Sequence, residues 1–241
     1  GMVKEFSKKS RRRFMQMVHQ VRDWSGGFFV HLTYPDEFPE DYEVYKRHLD
    51  SFLKRLKRRF PLARGFWRLG RKDRLSGENE GEIAPHYHLL MMGIFVKPVV
   101  FRRWVAQNWY EVVNSGDEKH LKAGTRCDVI ENRRHAAAYA SRYAAHDDER
   151  QVEEGLAGRR WGKFGFRALD LAPSQVYRLT WEQMRSLRRM IGKYLRSVGR
   201  SAWGDRVALG QTGFLVFGLG FRTHDSWPSA VDSTIEKMLW M

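Results

Sequence analysis

Between residues 26 and 146 the spacing of apolar side chains switches again and again between the period of a strand and the period of a helix. The stretch "GGFFVHLTYPDEF" (26–38) alternates as a strand opened by glycines and stopped by Tyr34-Pro35. Val30, Leu32 and Tyr34 take one of its faces, and Phe29, His31 and Thr33 take the other. "DYEVYKRHLDSFLKRLKRRF" (41–60) follows as an amphipathic helix, with Tyr45, Leu49, Phe52, Leu53, Leu56 and Phe60 in its apolar stripe. Two strands, "ARGFWRLGRK" (63–72) and "IAPHYHLLMMGI" (83–94), are joined by the polar turn "LSGENEGE", which predicts a hairpin. A helix over 98–113 places Val100, Phe101, Trp104, Val105, Trp109 and Val112 on one side. A short strand over 125–130 and an alanine-rich helix over 133–146 complete the run.

With a basic helix over 7–22 in front, the order is α-β-α-β-β-α-β-α. That order fits an α+β fold of the ferredoxin-like (RRM- or palm-like) kind: an antiparallel sheet with helices packed on it. Beyond residue 150, "GRRWGKFGF" is a basic-aromatic loop or strand, 174–197 a helix and 213–222 a late strand. The expected layout is a basic N-terminal helix (1–25), a central domain (26–170) and a helical and stranded C-terminal extension of it (171–241).

The chain carries 43 Lys and Arg against 28 Asp and Glu, a formal charge of +15, which calls for an anionic partner. Nucleic acid comes first and a membrane surface second. The single cysteine, Cys127, excludes an internal disulfide framework and fits a reducing compartment. No apolar run is long enough to span a bilayer.

His86 and His88 lie two residues apart on the "APHYHLLMMG" strand and therefore project from one face. Two imidazoles so placed can share a divalent transition metal, and imidazole suits manganese, iron or zinc better than magnesium. The plainer reading makes one a core filler and the other a surface residue. A metal also needs a third ligand, which this motif cannot supply.

In "YASRY", Tyr139 and Tyr143 stand at i and i+4 on one helical face. Tyrosines at that spacing often anchor a helix to a sheet, but the alanines at 136, 137, 138, 140, 144 and 145 already offer a close-packing surface. A phenol becomes a useful nucleophile when a metal polarises its target or a cation stabilises the phenolate, and Arg142 sits between the two. Paired histidines, paired phenols and a strong positive field together describe phosphodiester cleavage through a phosphotyrosine.

At these residues the chain resembles the HUH endonucleases, specifically the rolling-circle replication initiators of phages and plasmids. "FFVHLTYPDEF" is similar to their first motif, "PHYHLL" to the His-hydrophobic-His motif, and "YASRY" to Tyr-x-x-Lys-Tyr with Arg142 for lysine. "GRRWGKFG" resembles a downstream Arg-x-Trp-Gly segment, so the likeness covers about residues 26–166 in the right order. The resemblance implies nicking of single-stranded DNA at an origin hairpin or nick site, with a covalent 5′-phosphotyrosyl link and a free 3′-hydroxyl. It implies a divalent metal, Mn2+ or Mg2+, held by His86 and His88. Tyr143 or Tyr139 attacks phosphorus, and Arg142 steadies the phenolate or the phosphate. Arg133, Arg134, Arg159, Arg160 and Lys163 follow the DNA backbone or form a solvated basic face. Trp161 stacks on a base or anchors the core.

One departure bears on the metal. The family's strand before the histidines usually carries a glutamate after Trp-x-Leu, and "WRLGRK" has Gly70 there. Folding the hairpin about Glu78 sets Gly70 opposite His86. Glu82 shares the face of His86 but lies roughly 13 Å away along the strand. His31, on the polar face of the first strand, is the candidate third ligand, with water the alternative. The chain has no Gly-x-x-x-x-Gly-Lys-Ser/Thr loop, so a host helicase and polymerase are the expected partners, in the cytoplasm of a bacterium. Two other readings are a non-catalytic single-strand-binding module of the same fold and a single-strand transposase, for which one tyrosine is expected.

Overall fold

In the computed structural model, the described residues are 8–73, 83–145, 159–165, 169–172, 180, 182, 186, 189, 207–210 and 213–216. The chain divides into two compact units, Gly1–Ala172 and Pro173–Met241.

The first unit contains α1 (Lys8–Gln20), β1 (Gly27–Thr33), α2 (Tyr42–Arg59), β2 (Arg64–Asp73), β3 (Ile83–Met92), α3 (Pro98–Val112), α4 (Glu118–Ala123), β4 (Thr125–Ile130), α5 (Arg133–Ala145) and β5 (Trp161–Phe164). Five strands form one sheet in the order β4-β1-β3-β2-β5, and each neighbouring pair is antiparallel. The first four strands have the split βαβ order of a ferredoxin-like fold, and β5 extends the sheet beyond β2. The architecture is therefore α+β, as the element order implies.

Local chemistry fixes the helices. Asp41 caps α2 by accepting the Glu43 amide at 2.9 Å, Glu43 sits at its positive end, and Lys57, Arg58 and Arg59 sit at its negative end. Tyr45, Leu49, Phe52 and Leu56 are its buried face. In α3 the buried residues are Phe101, Val105 and Trp109, spaced four apart, and Trp104 and Val112 pack against the same core, partly buried. Val100, expected on the same side, is 46% exposed, because those side chains already fill the surface offered by the sheet. With Phe28, Val30 and Leu32 of β1 and Tyr87, Leu89 and Met91 of β3, these side chains make the main core.

The opposite face is also covered. Phe14 of α1 packs edge-on against Phe66 of β2 and Trp161 of β5, with ring centroids 6.1 and 5.4 Å apart. Tyr139 of α5 stacks on Phe29 of β1. Arg133 donates to the His19 carbonyl and Val21 bridges Leu171, tying α1 to α5 and to the end of the unit. Burial on both faces explains why β3 ends in an unbroken apolar run, Leu89 to Met92, rather than alternating.

β1 ends at Thr33, at the stop expected from Tyr34-Pro35: Pro35 cannot donate to a ladder, and the last carbonyl of the strand is taken by Trp109 Nε1 and the His120 ring. The short helix α4 was not anticipated, although Asp117 caps it by accepting the Lys119 amide at 2.8 Å. Within "GRRWGKFGF", read as a loop or strand, Trp161–Phe164 form strand β5.

In the second unit β6 (Val207–Gly210) and β7 (Gly213–Val216) form an antiparallel hairpin, at the start of the late strand expected over 213–222. Most of the helix expected over 174–197, and the turn that holds Glu78 and Glu82, lie outside the described residues.

Candidate metal centre

Three histidines meet on the face covered by α1 and α5. His31 and His88 are direct partners across β1 and β3, and His86 lies opposite Thr33 on one side and Gly70 on the other. The hairpin register thus pairs Gly70 with His86, and β1 neighbours the histidine strand. The His31 and His88 rings stack at 4.5 Å, and His86 meets them edge-on at 5.0 and 4.6 Å. His86 and His88 are buried and His31 is half-buried.

One nitrogen from each ring lies within 4.8 Å of the others, so the three can hold a metal ion. A metal about 2.1 Å from each nitrogen needs them roughly 3.4 Å apart, a closure of at most about 1.4 Å that ring rotation supplies. The donor set fits a divalent transition metal, because three neutral imidazoles are poor ligands for magnesium. The cluster contains no carboxylate among the described residues, so a bound dication keeps its full charge. Buried Arg68, the cross-strand partner of His88, adds another positive charge beside it. Such a centre favours an anionic ligand in its open positions.

Gly70 has a steric reason to lack a side chain. A Cβ there would stand 2.6 Å from His86 Nε2. The His86 ring leans over the glycine. His31 completes the triad from the other neighbouring strand.

The tyrosine helix lies over the same sheet face. The Tyr139 ring stacks on Phe29 at 4.4 Å and tilts against His135 at 4.9 Å, while Phe29 stacks on His88 at 5.7 Å. One aromatic ring therefore separates Tyr139 from the histidine cluster. The Tyr139 hydroxyl donates to Asp128 Oδ2 at 3.2 Å, and Arg126 Nε donates to the same oxygen at 2.9 Å. The sequence reading missed Asp128. Its signal was the alternation of "TRCDVI", which puts Arg126 and Asp128 on the face opposite buried Cys127. Burial pushes the Cys127 thiol up to about 12, so it is protonated and no nucleophile at neutral pH.

α5 includes positions 134, 142 and 143, but the side chains of Arg134, Arg142 and Tyr143 lie outside the described residues. Arg133 is engaged with α1. Trp161 donates from Nε1 to Ser10 Oγ at 2.7 Å and packs on Phe14, an anchoring arrangement between α1 and β5. Arg159 and Lys163 are exposed. Arg160 Nε and Nη2 are buried and meet no acceptor among the described residues. These basic groups collect along β5, on the opposite side of the sheet from β4.

No protein-family model matches the chain, and neither does any curated protein or solved structure.

Proposed function

We propose that the chain is a metal-dependent, site-specific single-stranded DNA endonuclease and strand transferase of the kind that initiates rolling-circle replication. The observation that carries this reading is the convergence of His31, His86 and His88 on the sheet face that α5 covers with Tyr139. A binding module without chemistry has no use for three clustered imidazoles, two of them buried beside a buried guanidinium. Their desolvation is a cost that a bound metal offsets.

When bound, a divalent metal supplies Lewis-acid polarisation of the scissile phosphate. Of the two metals expected, the imidazole donors favour Mn2+ over Mg2+. The remaining steps belong to the chain. Arg68 holds the phosphate from the β2 side, and Arg159, Arg160 and Lys163 hold the strand along β5. A phenol on α5 attacks phosphorus, giving a 5′-phosphotyrosine and releasing a 3′-hydroxyl that primes synthesis. The second phenol, one turn away, makes the return transfer that joins the strand, and Arg142 stabilises charge between them. Helicase and polymerase are recruited from a host, in its cytoplasm. Among the described residues no helix is long and apolar enough to cross a membrane.

The test is covalent capture. The chain is incubated with end-labelled, randomised single-stranded oligonucleotides and manganese chloride, then resolved under denaturing conditions. A labelled protein band is expected from the wild type and none from the chain with His86→Ala and His88→Ala. Oligonucleotide retention on a filter should fall much less in that variant, because phosphate contacts supply most of the affinity. Equal labelling of both chains, or of neither, refutes the proposal.

A further inference from the structure

We propose that Asp128, steadied by Arg126, is the proton acceptor for the Tyr139 phenol during strand cleavage. The inference rests on the nuclease reading above and adds to it the group that activates one of its two nucleophiles.

The geometry is specific. Phe29 of β1 and Asp128 of β4 are direct cross-strand partners, so the carboxylate and the aromatic platform lie side by side. The Tyr139 ring lies flat on Phe29, with an interplanar angle of 15°, and its hydroxyl reaches over the β4 edge to Asp128. Two contacts thus fix the ring plane and the direction of the O–H bond. Arg126, two residues away on the same strand face, holds the accepting oxygen from the other side. Among the described residues, the charged and titratable groups around the carboxylate are Arg126 on β4 and Tyr139 with His135 on α5. β1 contributes Phe29 opposite Asp128 and His31 opposite Arg126, and Cys127 and Arg102 of α3 lie on the other face of β4. A packing tyrosine needs only some acceptor for its hydroxyl. A carboxylate can also take the proton, and Arg126 fixes where its accepting oxygen stands.

The step balances as follows. The Tyr139 oxygen forms a bond to phosphorus while the bond from phosphorus to the 3′ oxygen breaks. The phenolic proton passes to Asp128, and the departing 3′ oxygen takes a proton from solvent. As the bond to phosphorus forms, the phenol becomes far more acidic, and transfer to a carboxylate becomes downhill.

The test uses the full chain with Tyr143→Phe, so that Tyr139 is the one tyrosine left on the helix face. Single-turnover formation of the protein–DNA adduct is followed with manganese and a captured oligonucleotide across neutral to alkaline pH. Asp128→Asn keeps an acceptor oxygen but cannot take the proton. It should slow the reaction about 10²-fold or more at neutral pH. Its rate should then climb about tenfold per pH unit as phenolate accumulates, phenol having a reference pKa of about 10. The parent should stay nearly flat, and Asp128→Glu should recover much of the rate. A 3-fluorotyrosine placed at 139 should shift its fluorine resonance with Asp128→Asn in the metal-free chain, reporting the contact without activity. Asp128→Asn should leave manganese affinity in place. A variant equal to the parent at every pH, or slower by a constant factor with a parallel profile, overturns the inference. If Tyr143→Phe forms no adduct while the wild type does, the inference falls and the nuclease reading stands. If the wild type forms none, the nuclease reading itself has failed.

Discussion

Replacing Gly70 by alanine places one methyl group where the His86 ring now lies. The new Cβ would stand 2.6 Å from Nε2, 3.1 Å from Cε1 and 3.4 Å from Cδ2. Ordinary van der Waals contact begins at 3.4 Å, so the ring tip must withdraw by about 0.8 Å. Moving a side chain that far off its preferred rotamer costs about 0.5–1.5 kcal/mol. If the metal requires the original position, the cost appears in binding as a roughly two- to tenfold loss of affinity. Stability should move little, because the displaced atom is the free end of a ring and alanine suits a strand slightly better than glycine. Isothermal titration with manganese chloride, beside a thermal melt, separates the two effects. The expected result is weaker binding at an unchanged melting temperature. Unchanged or tighter binding would refute the argument that the glycine exists to seat His86.

Gly70→Glu adds a carboxylate but evicts His86 from the same space, so Gly70→Glu with His86→Ala should bind manganese about as tightly as Gly70→Glu alone; titration of the pair checks this. His31→Ala removes one of three donors and should weaken manganese binding about 100-fold or more, beyond the cost of losing a supporting group. Phe29→Ala deletes a buried ring that packs against both Tyr139 and His88 and should cost about 3–5 kcal/mol in urea unfolding. His19 is held neutral, its pKa lowered to about 4 by burial and by Arg133. The unfolded chain takes up that proton near pH 6.5 and the folded chain does not, so stability should decline as pH falls from 6.5 toward 4. His19→Gln should flatten that part of the melting curve against pH.

Much of the sheet was legible because each strand's register follows from its neighbours. Folding the sequence about Glu78 predicts Gly70 against His86, the register that β2 and β3 adopt, and the same alternation that buries Val30 and Leu32 turns His31 toward the histidine strand. The three-histidine site follows from those registers together. What stayed hidden depended on contacts with no local pattern. α4 is six residues long, too short for a periodicity to show beside its Asp117 cap. Val100 fits the apolar period of α3 but lies beyond the stripe that the sheet can cover. Asp128 was missed because its role comes from Tyr139, brought over the β4 edge by packing on Phe29. The coverage of the histidine face by α1 was equally invisible, since it rests on Phe14 meeting Phe66 and Trp161, residues far apart in the chain.

The most direct measurement maps the captured nucleotide onto the chain. Trypsin cuts after Arg134, Arg142 and Arg150, so Tyr139 and Tyr143 fall on separate peptides, "HAAAYASR" and "YAAHDDER". After incubation with single-stranded oligonucleotides and manganese, nuclease trimming and digestion leave a nucleotide phosphate on the attacked residue, which mass spectrometry locates. The added mass should appear on one or both of these peptides, and it should vanish with Tyr139→Phe plus Tyr143→Phe and with His86→Ala plus His88→Ala. An adduct on any other residue, one that survives both double substitutions, or none at all contradicts the proposed chemistry.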